Sequence, residues 1–373
     1  MKKLLLIILL LTNISAHADT HSKIERQLSE FIQNVENPNL QGGVIAIIYH
    51  GHVIYTNEFG FQKNQTGPIT KDTLFPLASV SKSVSATAVA LLVNEGKVNL
   101  DEKFTLPYLK NPVSLRNILS HTTGYKFSGN AQIEQGMPRE KLLQKLKEHK
   151  PSCQPGECYQ YSNTTFSLLD EALKTKKLSL KDAIENLKKS LKTDEIQILP
   201  LNYKAQIAYP HIKVKGKKAH SIKALPMPPY YPKAAPAAAG VFASLNGMIE
   251  LFKLQFGHRP DLISKQTLDQ FYKPVIANRD IENWGIKWPC PLDEIESYYG
   301  AGWRILKAKK YPGHDLIFHG GMISGISTFV GYIPLLDLGV IILTNQSSGF
   351  ATREGIHFWG LFLECPSENG WRT

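Results

Sequence analysis

No run of this 373-residue chain reaches the roughly 20 consecutive apolar residues that a membrane-spanning helix takes. That excludes a helical transmembrane protein. There are only four cysteines, Cys153, Cys158, Cys290 and Cys365, and no histidine or second close cysteine completes a zinc-type ligand set. A structural metal centre is therefore not expected, and no cofactor is implied. Gly-x-Ser-x-Gly is absent, so an α/β-hydrolase would lack its nucleophile. His-Glu-x-x-His and phosphate-binding glycine loops are missing too. Acidic residues are in deficit, 32 against 43 Lys plus Arg. The excess base does not point to nucleic acid, because the lysines lack interleaved aromatics and no recognisable binding module is present.

What remains is a composition with 43% hydrophobic and 20% charged residues, enough to build one large domain or two intertwined lobes. At the start, Lys2 and Lys3 precede the apolar run Leu4 to Leu11, and Ala16-His17-Ala18 offers a cleavage site. This predicts a secretory leader, residues 1–18, and a periplasmic or secreted mature chain of residues 19–373. Its removal lowers the formal charge from +11 to +9, since Lys2 and Lys3 go with it. Lys174, Lys176, Lys177, Lys181, Lys188, Lys189 and Lys192 crowd one leucine-rich stretch. That pattern predicts a solvated helix face. Its sharper alternative is attraction to an anionic cell-envelope surface. Four cysteines in an oxidising compartment make disulfides plausible. Cys153 and Cys158 flank the turn-prone Gln154-Pro155-Gly156-Glu157, which would leave Cys290 with Cys365, although the other two connectivities stay open.

Gly43 to Tyr49 and His52 to Phe59 predict a hairpin turning at His50-Gly51. A helical region is expected from Pro76 to about Lys192, then an irregular excursion over 200–236, then a helix from Ser244 to Phe256. Strands are expected at Gly302–Leu306, Leu316–Phe318, Ile326–Ile333 and Leu338–Thr344, with a closing helix over Thr352–Leu363. The fold class is thus α+β: an antiparallel sheet flanked by helices and built from both termini (about 19–75 and 233–373), with an inserted all-helical lobe (about 76–232). A cleft between such lobes is a usual place for an active site.

Three short elements carry chemistry. Ser79 and Lys82 stand three apart at a helix start, the only Ser-x-x-Lys in the chain. Residues i and i+3 share a helix face, so the amine can reach the hydroxyl and act as its base. Tyr161-Ser162-Asn163 offers a phenol for proton transfer and a carboxamide to hold a substrate amide. His319-Gly320-Gly321 lets a substrate lie against a strand edge, with the next amide aimed at an oxyanion.

In this order and spacing, the three resemble the Ser-x-x-Lys, Tyr-x-Asn and Lys/His-x-Gly motifs of the class C β-lactamase and penicillin-binding serine hydrolase family. Leu74 to Lys82, Ser114 to Gly124, Pro236 to Ser244 and Gly300 to Asn345 are similar to further segments of that family, and the likeness runs from about Leu40 to Leu363. It implies Ser79 as an acylated nucleophile, with Lys82 and Tyr161 sharing the proton work. It implies Asn163, His319 and Gly321 at the substrate, and the amides of Ser79 and Met322 as an oxyanion hole. His121 and Ser81 are expected to be structural. The expected substrate is a small molecule or peptide with an amide, ester or β-lactam carbonyl.

One departure matters. Family members that destroy β-lactams usually carry lysine where this chain has His319. A histidine with an ordinary pKa near ~6.5 is mostly neutral at pH 7 and binds a carboxylate less well. The resemblance therefore leans to a D-alanyl peptidase, aminopeptidase or esterase. A true β-lactamase and an inactive envelope-binding protein are the alternatives.

Overall fold

The computed structural model describes residues 15–36, 38–201, 206–215, 220–227, 230–363 and 365. The apolar run expected to head a leader, Leu4 to Leu11, lies outside them. No helix among the described residues is long and apolar enough to cross a membrane.

Nine strands form one antiparallel sheet. In chain order they are β1 (Gly42–Tyr49), β2 (His52–Lys63), β3 (Thr66–Pro68), β4 (Ile276–Ala277), β5 (Ile295–Tyr299), β6 (Arg304–Ala308), β7 (Leu316–Ile323), β8 (Ile326–Ile333) and β9 (Leu338–Thr344). Their spatial order is β4-β5-β6-β7-β8-β9-β1-β2-β3. The N-terminal hairpin thus closes onto the last strand, with Ile45 opposite Ile342 and Ile47 opposite Val340.

The central strands are rich in β-branched residues and buried on both faces, and that composition suits a covered sheet. Side-chain alternation divides the core. Ile45, Ile47, Phe329 and Ile342 face the helices Ser15–Val35 and Phe350–Gly360. Val44, Ala46, Ile48, Val330 and Ile341 face the other way, into a core shared by helix Leu245–Gln255 and the inserted lobe. Within that lobe, helix Ser81–Asn94 is buried nearly all round, as its Ala- and Val-rich sequence requires. The lysine-rich helix Leu180–Leu191 buries Leu180, Ile184, Leu187 and Leu191 on one face.

Several boundaries differ from expectation. The inserted lobe carries short strands besides its helices: Lys103–Phe104 with Val113–Ser114, and a hairpin of His211–Lys215 with His220–Ala224. The hairpin falls in the stretch expected to be irregular, where proline content masked its alternation. Strands β4 and β5 were not expected either. Strand β7 runs on to Ile323, so His319-Gly320-Gly321 lie inside a strand and pair with Val330, Phe329 and Thr328. Gly321 there serves a close approach, with Leu77 O and Ser79 N against it. The disulfides are Cys153–Cys158 and Cys290–Cys365.

Candidate active site

Ser79 lies in a 3-10 turn, Ala78–Val80, just ahead of helix Ser81–Asn94 rather than within its first turn. Ala78 takes φ +47°, a left-handed conformation that costs a residue with a Cβ roughly 1–2 kcal/mol. Neighbouring elements hold the turn there. Thr328 Oγ1 donates to Leu77 O at 2.7 Å, and Leu77 N donates to Val241 O at 2.9 Å. Val241 N in turn donates to Ser81 Oγ at 3.0 Å, which gives the buried Ser81 a structural task. Gly321 makes the approach of β7 feasible. A Cβ there would stand 2.6 Å from Leu77 O and 3.0 Å from Ser79 N. Ser79 is half-buried among fully buried neighbours, so its hydroxyl is the reachable atom of the turn.

Lys82 is wholly buried. Its Nζ lies 3.2 Å from Ser79 Oγ, 2.6 Å from Asn163 Oδ1 and 3.0 Å from Ala238 O. The rings of Tyr161 and Phe166 lie alongside. Burial, and then the charge of Arg304, push its pKa well below that of an ordinary lysine. Among the described residues no carboxylate hydrogen-bonds the amine. An uncharged amine here is the form its surroundings favour.

Tyr161 donates its hydroxyl to Ser79 Oγ at 2.9 Å. Burial raises its pKa, against the pull of Arg304 and of the Ser79 hydrogen bond. It therefore rests as a phenol, not a phenolate. Its strand-like approach is fixed by the Cys153–Cys158 loop, which bonds to the turn after helix Leu115–Leu119. Ser152 N donates to Gly124 O, Gly156 N to Thr122 O and Gln160 N to His121 O, each at 2.8 Å. His121 is fully buried against the Tyr161 ring at 4.3 Å between centroids, and its Nδ1 accepts from Ser162 N at 3.2 Å. This is the structural place expected of it.

Asn163 bridges Lys82 to Asn130, donating from Nδ2 to Asn130 Oδ1 at 2.9 Å. Met322 follows Gly321 on β7 and is 66% exposed. The expected residues Ser79, Lys82, Tyr161, Asn163, Gly321 and Met322 are thus drawn to one place.

His319 calls for a correction. It was expected to face a substrate carboxylate, yet its ring is fully buried. Nδ1 stands 2.8 Å from Gly320 O and must donate to it, because a carbonyl only accepts. Nε2 then accepts the Tyr299 hydroxyl, also at 2.8 Å. Both ring nitrogens are occupied. Burial, then Arg304 and Lys82, hold its pKa well below the usual histidine value, so the ring is neutral.

The fixed positive charge of the site belongs to Arg304 on β6, which sequence reasoning missed. Its guanidinium lies over the rings of Trp284, Tyr161 and Tyr299 at 4.8, 5.2 and 5.5 Å, and donates to Asp280 Oδ2 at 2.7 Å. Burial opposes that charge, but Tyr159 and Asp280 outweigh it and push its pKa up. Tyr299 and Asn130 were missed as well. None of the three stands in a motif, and strand pairing or helix placement alone brings them to the site.

A family model described as Beta-lactamase matches residues 23–359. The chain belongs to the Beta-lactamase family. It is 24% identical to "Unguisins hydrolase ungD'" of Aspergillus campestris (strain IBT 28561), over 91% of this chain and 65% of that protein. It is 21% identical to "Protein flp" of Staphylococcus aureus (strain MW2), over 88% of this chain and 64% of that protein. The chain therefore spans just under two thirds of the length of these curated relatives. Among solved structures, the octameric penicillin-binding protein homologue from Pyrococcus abyssi superposes with a TM-score of 0.71 at 22% identity, over 95% of this chain and 79% of that one. EstCE1, described as a hydrolase with promiscuous acyltransferase activity, gives 0.67 at 20% identity over 91% and 98%. The penicillin binding protein from Bacillus halodurans gives 0.66 at 19% over 91% and 96%. These likenesses establish the serine-hydrolase fold of the Beta-lactamase family for this chain.

Proposed function

We propose that this member of the Beta-lactamase family hydrolyses an ester or amide through an acyl-enzyme on Ser79, as an esterase or a D-alanyl-type peptidase. The observation that carries the reading is that Ser79 Oγ stands within hydrogen-bond reach of both Lys82 Nζ and Tyr161 Oη, at 3.2 and 2.9 Å. A neutral amine has two N–H groups and one lone pair. The acceptors Asn163 Oδ1 and Ala238 O take the two N–H groups. The lone pair is left for the Ser79 proton.

In this mechanism Ser79 Oγ bonds to the substrate carbonyl carbon while its proton passes to Lys82. The amides of Ser79 and Met322 receive the oxyanion. Collapse breaks the bond to the leaving group, which takes the Tyr161 proton, and Lys82 returns a proton to Tyr161. Water then attacks the acyl carbon, passes its proton to Lys82 through Tyr161, and Ser79 leaves with a proton from Lys82. Arg304 stabilises transient negative charge on Tyr161 and keeps Lys82 from holding a proton too firmly.

The neutral, buried His319 supports the lean away from β-lactam turnover, since it brings no charge to a substrate carboxylate. The leader-like start and two disulfides support a periplasmic or secreted location. The lysine-rich face of helix Leu180–Leu191 supports contact with an anionic envelope surface.

The test is intact-protein mass after mixing with an activated acyl ester or with a penicillin, beside Ser79→Ala. An adduct on the parent alone supports the reading. A persistent penicillin adduct marks a peptidase, and rapid loss with opened penicillin marks a β-lactamase. Equal adducts on parent and Ser79→Ala overturn the mechanism.

A further inference from the structure

A cavity of about 410 Å³ lies between the end of β7, at Ile323 and Ser324, and the helix Asn130–Glu134. It falls in the size range of small-molecule sites, and the proposed mechanism does not use it. Leu225, Pro226, Ile323 and the rings of Tyr230 and Tyr231 supply its apolar and aromatic walls, and Glu134 supplies a carboxylate. Two of its walls start at the active site. Ile323 ends β7 two residues beyond Gly321, about 7 Å along the strand. Glu134 ends helix Asn130–Glu134, one turn or about 6 Å beyond Asn130, which holds Asn163.

The side of the substrate that meets this cavity follows from the chemistry. The leaving group has to lie over Tyr161, which protonates it. In the proposed mechanism Asn163 binds the substrate amide, which puts the acyl group on the side of Asn163 and its partner Asn130. Glu134 accepts the Tyr231 hydroxyl at Oε1, 3.1 Å away, and among the described residues no cation pairs with it. Tyr230 is 57% exposed at the rim, where its ring can lie against a cation. An exposed carboxylate at the mouth of a largely apolar pocket, flanked by aromatic rings, suits an organic ammonium and disfavours a second carboxylate.

We infer that this cavity is an acyl subsite selecting groups that carry an ammonium several bonds from the scissile carbonyl. The inference rests on acyl transfer at Ser79. It is tested with nitrophenyl esters of ω-aminohexanoic acid and of heptanoic acid, which match in length and differ in charge. The expected result is a kcat/KM about tenfold higher for the cationic ester, one good charge contact's worth. The ratio should fall towards unity in Glu134→Gln, which keeps an acceptor for Tyr231, and drop below unity in Glu134→Lys. Added salt should lower the parent's ratio and leave that of Glu134→Gln unmoved. Equal kcat/KM for the two esters, or a cationic preference that survives in Glu134→Gln, overturns the subsite while leaving acyl transfer standing. Failure of the parent to turn over either ester counts against the acyl-transfer reading instead.

Discussion

Asn163 Oδ1 sits 2.6 Å from Lys82 Nζ, so a neutral carboxamide stands where an ordinary buried lysine would meet a carboxylate. The pairing satisfies the amine without supplying a countercharge. Asn163→Asp should reverse that. A carboxylate at this distance raises the lysine pKa, and every tenfold gain in proton affinity is a tenfold loss of uncharged amine at fixed pH. We expect kcat/KM at pH 7 to fall by at least about tenfold, with the acid limb of the profile displaced to higher pH. An unmoved acid limb would show that Lys82 is not the titrating base.

The two buried proton carriers are displaced in opposite senses, Lys82 down from 10.5 and Tyr161 up from 10.0. The expected kcat/KM profile rises as Lys82 loses its proton, well below pH 10.5, and falls only above pH 10 as the phenol ionises. Stability carries the same signature. The folded pKa of Lys82 lies below the unfolded one, so folding is penalised in full below the folded pKa and relieved as pH climbs towards 10.5. The melting temperature of the parent should therefore gain on that of Lys82→Met across that window. Parallel curves for the two proteins would contradict a depressed lysine pKa.

Arg304 should tune both groups from outside the reacting pair. Its removal alone would leave Asp280, whose side chain is 28% exposed and also accepts the Tyr159 hydroxyl, without its cation. The informative variant is Arg304→Gln with Asp280→Asn. We expect the pKa values governing both limbs to rise, because Lys82 loses a repelling charge and the Tyr161 phenolate an attracting one. Loss of activity with both limbs in place would leave Arg304 a packing role only.

Gly321→Ala tests the approach of β7 to the nucleophile turn. The new methyl would meet Thr328 Oγ1 at 2.3 Å and Leu77 O at 2.6 Å. Overpacking of this kind costs roughly 1–3 kcal/mol. Displacing the Ser79 turn by about 1 Å would cost on the order of 10²-fold in kcat. A crystal structure and a rate measurement on the variant would settle both, and wild-type kcat would show that the turn does not rest on this glycine.

The disulfides should separate stability from rate. Cys290–Cys365 closes a loop of 75 residues, for which chain entropy suggests about 4.5 kcal/mol, while Cys153–Cys158 closes one of 5, for about 2 kcal/mol. Serine replacement of the first pair should lower the denaturation midpoint more. Replacement of the second should lower kcat more, because its loop carries the bonds that seat Tyr161. The reverse pattern in paired denaturation and rate assays would count against that division.

Much of the site was legible because its residues come in short motifs. Ser79 and Lys82 lie on one local turn, where spacing alone decides which side chains can meet, and Tyr161 and Asn163 stand two apart across the extended Ser162, which carries both into the site. The strands β8 and β9 matched expectation because fully buried central strands show as unbroken apolar runs. Strands β4 and β5 did not show, since short or half-exposed edge segments leave a weak pattern. His319 was legible as a motif residue but not as a buried one, because burial depends on Tyr299, 20 positions away.

The sequence by itself determined the α+β class, the family likeness and the identity of the proton-bearing residues, all properties carried by local spacing and apolar pattern. Only the tertiary structure decided which way their pKa values move. That Lys82 and His319 are pushed down and Tyr161 up depends on burial and on Arg304, which β6 brings in from far along the chain. Desolvation and Coulomb forces act through space, and no window of sequence records who the neighbours will be.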